Sequence, residues 1–259
     1  MLKPGLVSIT FRQLGPEAIV RLVAEAGLSG IEWGGDIHVP HGDTARACEV
    51  RKLTTDAGLV VAAYGSYYRA GARTTVPFTA ILDSALALGA PLIRVWAGEQ
   101  GSAQADAAAR AAVTEAVRDA CARAAVHHIR IGLEFHGNTL TDTTDSALQL
   151  LADADHPNLL CYWQPPVGWP QAQLEESLAR ILPHLAHLHV FNWDDQHQRR
   201  PLREGFEKWR PLLRTAHDRR PGLDAHAMIE FVCDDSPDAF REDAKALREL
   251  LAAVSDPQA

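Results

Sequence analysis

The feature that most constrains the fold of this chain is an alternation of short apolar segments with helix-like segments, repeated eight times. The apolar segments have the length of β-strands, and the intervening segments carry helix signals such as Gly15-Pro16-Glu17 at a start and Gly27 at a stop. The expected strands span about 6–10, 30–33, 59–64, 92–96, 129–135, 159–163, 185–192 and 227–232. The expected helices span about 15–26, 44–58, 75–89, 103–126, 141–154, 171–182, 206–218 and 236–251.

Eight consecutive strand–helix units favour one architecture. Units of roughly 30 residues that repeat eight times close into a (β/α)₈ barrel of roughly 250 residues. The chain has 259 residues and no break in composition. An open doubly wound sheet would favour a glycine-rich phosphate loop after the first strand, and Ser8-Ile9-Thr10-Phe11-Arg12-Gln13 is not such a loop. We therefore predict an α/β fold, a (β/α)₈ TIM barrel that forms a single domain over residues 1–259.

The composition and charge of the chain limit the classes of molecule that it can bind. Hydrophobic residues make up 47% and charged residues 22% of the chain, as in globular domains with a large core. No apolar run reaches the length of a membrane span and no leader precedes the first strand, so we expect a cytoplasmic protein. The formal charge of −8 disfavours nucleic acid. The scattered cysteines predict free thiols, with Cys121 and Cys161 buried. The expected partner is a small neutral or polar metabolite.

Two glutamates lie where a barrel of this kind carries its chemistry, at the carboxyl ends of strands. Glu134 ends Ile131-Gly132-Leu133-Glu134, and Glu230 ends Met228-Ile229-Glu230. An unpartnered carboxylate in an apolar strand is costly. One explanation is a structural ion pair with Arg94, and the other is a divalent cation that both carboxylates share.

Further polar and aromatic residues follow the same strands. His187 and His189 share one side of strand seven, and His189 is the better candidate ligand because it lies nearer the strand end. His187 fits a core histidine bonded to a backbone carbonyl. Tryptophans near strand ends suit the apolar face of a sugar ring. The residues expected to contact substrate are Trp33, Arg94, Trp96, His136, Trp163 and Asn192.

The order and spacing of five segments resemble the xylose-isomerase-like TIM barrel superfamily. The segments are Gly30-Ile31-Glu32-Trp33, Ile93-Arg94-Val95-Trp96-Ala97-Gly98, Gly132-Leu133-Glu134-Phe135-His136, His187-Leu188-His189-Val190 and Ile229-Glu230-Phe231. The resemblance spans essentially the whole chain and implies a divalent metal ion, Mn²⁺, Mg²⁺, Co²⁺ or Zn²⁺. Carried over residue by residue, the implied ligands are Glu134, Gln164, His189 and Glu230.

The sixth strand departs from the family's pattern. Gln164 stands where an aspartate is usual, and Val167-Gly168-Trp169 occupies the place of an expected histidine. A glutamine carbonyl can bind a hard cation but adds no negative charge. We therefore expect weaker metal binding than a site with three carboxylates would give.

The resemblance implies a sugar or sugar phosphate isomerase or epimerase. Glu134 and Glu230 would act on opposite sides of the sugar, one removing a proton and one returning it through an enediolate. Two alternatives remain open: a dehydratase or lyase on a cyclic polyol, and a non-catalytic carbohydrate-binding barrel whose metal site has degenerated. A repair endonuclease would need additional ligands for three zinc ions and a less acidic surface. The sequence does not define the oligomeric state; dimers are common in families of this kind, so a homodimer is one possibility.

Overall fold

The computed structural model describes residues 2–72 and 76–255. Its strands are all parallel and form one closed barrel in the order β1 to β8, as predicted. Each strand pairs with its sequence neighbours, and β8 returns to β1. The strands are β1 Leu2–Val7, β2 Gly30–Gly34, β3 Val60–Arg69, β4 Leu92–Trp96, β5 Arg130–Leu133, β6 Leu159–Trp163, β7 Leu185–Val190 and β8 Ala225–Ile229.

A helix follows every strand and packs on the outside of the barrel. Aspartates cap the starts of two helices: the side chains of Asp43 and Asp106 accept hydrogen bonds from backbone N–H groups in the first turns of α2 and α4. Gly89 ends α3 with φ of 70°, a conformation that glycine adopts without strain. The helices are α1 Pro16–Glu25, α2 Thr44–Asp56, α3 Phe78–Leu88, α4 Ala107–Ala125, α5 Thr144–Ala154, α6 Gln171–Ile181, α7 Phe206–Arg219 and α8 Pro237–Ser255.

The predicted bounds differ from the observed bounds at some strand ends and some helix ends: β3 extends to Arg69 rather than 64, and α4 begins at Ala107 rather than 103. The first strand was expected at 6–10 but spans Leu2–Val7, because 8–11 turn into a 3₁₀ helix in which the Ser8 hydroxyl bonds β2. The last strand begins two residues earlier than expected, at Ala225. The expected start of the third helix near 75 falls outside the described residues.

The core lies in two layers. The larger layer fills the space between barrel and helices and contains apolar residues from every strand. Inside the barrel a smaller cluster includes Val7, Leu92 and Tyr162. Gly132 makes room for Tyr162, since a Cβ at this glycine would lie 2.7 Å from the tyrosine ring. The barrel interior can therefore hold a large side chain that reaches from β6 toward β2.

None of the helices in the described ranges has the length and apolarity that a bilayer-spanning helix requires.

Candidate active site

The carboxyl ends of the strands surround a cavity of about 530 Å³. Polar groups line its floor: Arg94 lies in β4, and Glu134 and Glu230 directly follow the last residues of β5 and β8. Aromatic side chains and two prolines, Pro165 and Pro166, form much of its wall. This placement agrees with the expectation that the polar strand ends converge on one face of the barrel.

Below the cavity floor, Arg94 joins two carboxylates. Its Nε donates to Glu32 Oε1 at 2.6 Å, and its Nη1 donates to Glu134 Oε2. Tyr162 donates its hydroxyl to the other oxygen of Glu32 at 2.8 Å. Burial alone would raise the pKa of Glu32, but the positive charges of Arg94 and His189 outweigh it and hold that pKa well below its usual value. Glu32 therefore stays ionised beneath the floor.

The two carboxylate oxygens of Glu134 have different neighbours. Its Oε2 accepts hydrogen bonds from Arg94 and from the indole nitrogen of Trp96. Its Oε1 lies 3.9 Å from Nδ1 of His189. The ion pair expected as one explanation of Glu134 thus exists, and it leaves the second oxygen facing the histidine.

Three of the four predicted ligands lie around a nitrogen atom of the fourth, His189. Nδ1 of His189 lies 3.2 Å from Gln164 Oε1 and 3.3 Å from Glu230 Oε2, in addition to its approach to Glu134 Oε1. Ligand atoms of Glu134, His189 and Glu230 all lie within 4.8 Å of one another, and all three residues are buried. A single proton on Nδ1 cannot satisfy three acceptor oxygens, whereas a divalent cation can bind all four atoms. The donor set of one nitrogen and three oxygens fits such an ion.

The protonation of His189 follows from the same geometry. Burial lowers its pKa, but the carboxylates of Glu230 and Glu32 outweigh burial and raise the pKa to about 10. The attraction is mutual: burial would raise the pKa of Glu230, and His189 with Arg94 lowers it. In the absence of an ion the proton on His189 supplies the positive charge that this site requires.

His136 is held beside the floor by a stack of three side chains. Its ring lies parallel to the ring of Trp96, with centroids 4.5 Å apart and planes inclined by 21°. The guanidinium of Arg69 lies 3.9 Å from the centroid of the same indole, so it occupies the opposite face. Nδ1 of His136 bonds the carbonyl of Gly137 at 2.7 Å. Nε2 makes no hydrogen bond to the described part of the chain, so it is free to exchange a proton with a ligand.

Tyr67 brings a hydroxyl to the cavity from the end of β3. Its φ of 54° is unusual for a residue with a side chain, a form of strain that is common at functional sites. Arg12, which pairs with Asp36, donates to the Tyr67 hydroxyl at 3.3 Å. Burial raises the pKa of Tyr67 to about 12, so its hydroxyl keeps its proton and can donate it in a hydrogen bond. Arg12 and Tyr67 were not among the predicted site residues, because neither directly follows a predicted strand.

The far wall of the cavity is aromatic. Trp193 packs against Phe191 at 5.0 Å and against Phe231 at 5.8 Å between ring centroids. Its indole nitrogen is buried without a partner in the ranges described. The rings of Phe191 and Phe231 are each inclined by 40° to the ring of Trp193, and the three rings together give the cavity an apolar aromatic wall.

The structure corrects three of the predicted substrate contacts. Trp33 and Trp163 are fully buried in the layer between barrel and helices, where their indoles donate to Thr54 of α2 and Ser177 of α6. Asn192 bonds Pro201 and Lys208 and does not line the cavity. For the two tryptophans the physical reason is strand alternation, because side chains next to inward-facing residues point outward to the helices. Arg94, Trp96 and His136 do line the cavity.

His187 lies deeper in the barrel than His189. It bonds the backbone carbonyl of Ala62 at 3.3 Å through Nε2 and accepts from the backbone nitrogen of His226 through Nδ1. Its place as a core histidine agrees with the expectation from the sequence.

Comparison with known proteins identifies relatives across the chain. A sequence model described as a xylose isomerase-like TIM barrel matches residues 20–250. A 3-dehydroshikimate dehydratase of Bacillus anthracis is 28% identical over 179 residues, which are 60% of this chain and 61% of that protein. The match thus spans about three fifths of the length of this curated relative.

Solved structures share the fold at lower identity. The probable 3-DHS dehydratase AsbF of Bacillus anthracis, involved in petrobactin synthesis, has a TM-score of 0.80 at 23% identity, covering 96% of this chain and 99% of its own. A xylose isomerase-like TIM barrel protein of Mycobacterium smegmatis, solved with magnesium, has a TM-score of 0.73 at 18% identity, covering 98% of both chains. A D-psicose 3-epimerase of Clostridium cellulolyticum H10, solved with D-tagatose, has a TM-score of 0.68 at 15% identity, covering 98% of this chain and 99% of its own.

Proposed function

Because the chain belongs to the xylose isomerase-like TIM barrel family, we propose that it is a divalent-metal-dependent dehydratase. Its substrate class is a small cyclic hydroxy ketone of the 3-dehydroshikimate type. The name of the relative at 28% identity supports this choice. The observation that most directly supports the dehydratase proposal is that a set of four possible metal ligands lies at the same cavity as His136, whose Nε2 has no partner in the described ranges.

Glu134, Gln164, His189 and Glu230 would hold the divalent ion. When bound, the ion would stabilise negative charge that develops on a substrate carbonyl oxygen. Arg94 and Trp96 fix the orientation of Glu134 by donating to its Oε2, so Oε1 stays directed toward the other ligands. Glu32, beneath the cavity floor, accepts a hydrogen bond from Arg94 and holds the guanidinium in position.

His136 supplies the base in this proposal. Its Nδ1 bonds the Gly137 carbonyl, which fixes the tautomer with the lone pair on Nε2. Nε2 would remove the proton from the carbon next to the ketone. The electron pair of that C–H bond forms the new C=C bond, and the neighbouring C–O bond breaks. The departing hydroxide takes up the proton that Nε2 of His136 removed, so one water leaves and His136 returns to its neutral form.

Tyr67 and the aromatic wall assist the elimination. The hydroxyl of Tyr67 accepts from Arg12, so its own O–H can donate a hydrogen bond to the departing oxygen. The apolar wall of Phe191, Trp193 and Phe231 suits the apolar face of a carbon ring.

A sugar isomerase or epimerase is a second candidate, supported by Glu134 and Glu230 both lining the cavity. Each carboxylate would exchange a proton with the substrate, as the sequence analysis predicts. Glu134 Oε2 already accepts from Arg94 and Trp96, and its Oε1 faces the other proposed ligands. Nε2 of His136, by contrast, has no protein partner in the described ranges, which favours His136 as the base and hence the dehydratase.

The test is turnover of 3-dehydroshikimate by the Mn²⁺-loaded protein, with D-fructose in D₂O as the epimerase assay. We expect loss of one water from the first substrate and no deuterium incorporation into the second. His136→Gln should lower kcat by about 100-fold or more while Mn²⁺ binding is unchanged. Glu134→Gln should weaken Mn²⁺ binding and turnover together. The dehydratase proposal fails if no water is lost with Mn²⁺, Mg²⁺, Co²⁺ or Zn²⁺, or if His136→Gln keeps full turnover.

A further inference from the structure

A second cavity opens at the opposite end of the barrel, where the strands begin. Its volume is about 630 Å³, larger than the 530 Å³ of the candidate active site. Its lining includes Lys3, Arg130, His187, Arg220, Asp224 and His226. The charged residues that line this cavity lie on strands or in the loop before β8. None of them lies in the described parts of α1 to α8.

His226 is the least satisfied side chain in this cavity. It is 7% exposed, and neither of its ring nitrogens has a hydrogen-bond partner within residues 2–72 and 76–255. Its ring fits against Gly30, where a Cβ would lie 2.6 Å from Nε2. His187, whose ring centroid is 5.3 Å away, has partners for both nitrogens. A buried imidazole without partners is costly, so a bound molecule that supplies them would be stabilised.

The neutral form of His226 defines what it can bind. Burial is the largest cause that lowers the pKa of His226 to about 3, and the neighbouring His187 and Lys3 act in the same direction. The ring therefore offers one N–H donor and one acceptor nitrogen. A hydroxyl group, which both donates and accepts, complements either nitrogen.

The charge around the cavity is positive. Lys3, Arg130 and Arg220 line it, and the carboxylate in the lining, Asp224, is already paired with Lys3 at 2.6 Å. Arg130 and Arg220 form no ion pair within the described ranges. Both guanidinium groups are oriented by backbone carbonyls instead: Arg130 by Pro157 and Asn158, and Arg220 by Leu182 and Leu185. Fixed guanidinium groups without a carboxylate partner suit an anionic ligand.

We propose that this cavity is a second binding site, for a small organic anion that also carries a hydroxyl group. Lys3, Arg130 and Arg220 attract the anionic group, and His226 bonds the hydroxyl. The anionic group is a phosphate or a carboxylate. The site lies at the other end of the barrel from His136 and Glu230, so its existence does not depend on the proposed dehydratase activity.

Calorimetric titration of the full chain tests the site with three probes. Glycerol 3-phosphate and L-malate each combine an anion with a hydroxyl, and glycerol lacks the anion. We expect one equivalent of at least one anion to bind and glycerol not to bind. Binding of only the phosphate or only the malate identifies the anionic group. If neither anion binds at millimolar concentration, the proposal is overturned.

Variants at the two ends of the barrel locate the bound anion. His226→Phe should weaken binding at least tenfold by removing both ring nitrogens. Lys3→Gln, at a half-exposed position, should weaken it severalfold and reduce its salt dependence, and it remains informative if His226→Phe fails to fold. Glu230→Gln, at the other end, should leave binding unchanged. Binding that Glu230→Gln abolishes, or that survives both changes in the second cavity, would show that the anion binds elsewhere.

Discussion

At the scale of single residues, Trp96 links three parts of the site. Its indole donates to Glu134, stacks on His136 and lies under Arg69. Trp96→Phe keeps an aromatic face for the stack and removes only the N–H. We expect kcat on 3-dehydroshikimate to fall by about 10- to 100-fold, because a hydrogen bond to a charged group contributes about 1.5–3 kcal/mol.

Trp33→Phe is the matched control for this change. Trp33 also donates its indole N–H to one side chain, but to Thr54 in the outer layer of the core. This substitution should lower the free energy of unfolding by about 1 kcal/mol and leave kcat unchanged. Equal losses of kcat in both variants would contradict the placement of Trp33 outside the cavity.

Substitutions of Gln164 test the ligand set, because they can add a carboxylate to it or remove an oxygen from it. Gln164→Asp introduces a third carboxylate beside His189, so Mn²⁺ affinity should rise at least tenfold. Gln164→Ala removes a ligand oxygen, so the affinity should fall. Isothermal titration of metal-free protein measures both. If Gln164→Ala binds Mn²⁺ as tightly as the unchanged protein, Gln164 is not a ligand.

At the scale of elements, the loop between β7 and α7 carries part of the cavity wall. Arg199 in this loop pairs with Asp235, which follows β8, and its guanidinium lies 4.6 Å from the ring centroid of Phe231. Because both partners of this ion pair are partly exposed, Arg199→Gln should cost less than about 1 kcal/mol of unfolding free energy. KM should rise severalfold, since the loop also holds Trp193 in place. An unchanged KM in steady-state kinetics would contradict this role of the loop.

The elements were largely predictable from the sequence because each depends on local signals. The strand 92–96 was predicted with its observed bounds, since an apolar run sits between Gly89-Ala90-Pro91 and Gly98. The first strand was shifted because Ser8 and Thr10 fit a strand in the sequence, whereas in the structure their hydroxyls bond neighbouring segments. Such bonds depend on which segments meet in space.

The same limit applies to the candidate site. Glu134, His189 and Glu230 could be found because charged or polar residues at apolar strand ends stand out. The outward direction of the Trp33 and Trp163 side chains could not be predicted, because a one-residue change in strand register reverses the face of every side chain. Tyr67 and Arg12 come from an extended strand end and a 3₁₀ turn, whose backbone paths the sequence pattern does not define.

At the scale of the whole molecule, buried histidines should make the fold sensitive to acid. The pKa of His226 is about 3 in the folded chain, against 6.5 for an ordinary histidine. The unfolded chain therefore binds more protons between these values, so the stabilisation present above pH 6.5 is lost as the pH falls toward 3. The loss from this group is roughly 3–5 kcal/mol.

Urea unfolding over this pH range measures the effect. The free energy of unfolding of the unchanged chain should fall more steeply with acidification than that of His226→Phe, which has no group to protonate there. Parallel slopes for the two proteins would mean that His226 is already charged in the folded state.

The central claim is that Glu134, Gln164, His189 and Glu230 form one divalent-metal site. The most direct measurement is calorimetric titration of chelator-treated protein with Mn²⁺, alongside Glu230→Gln. We predict one Mn²⁺ per chain for the unchanged protein, and at least tenfold weaker binding for the variant, which loses a charged ligand. Absence of stoichiometric Mn²⁺ binding, or equal affinity in both proteins, would contradict the claim.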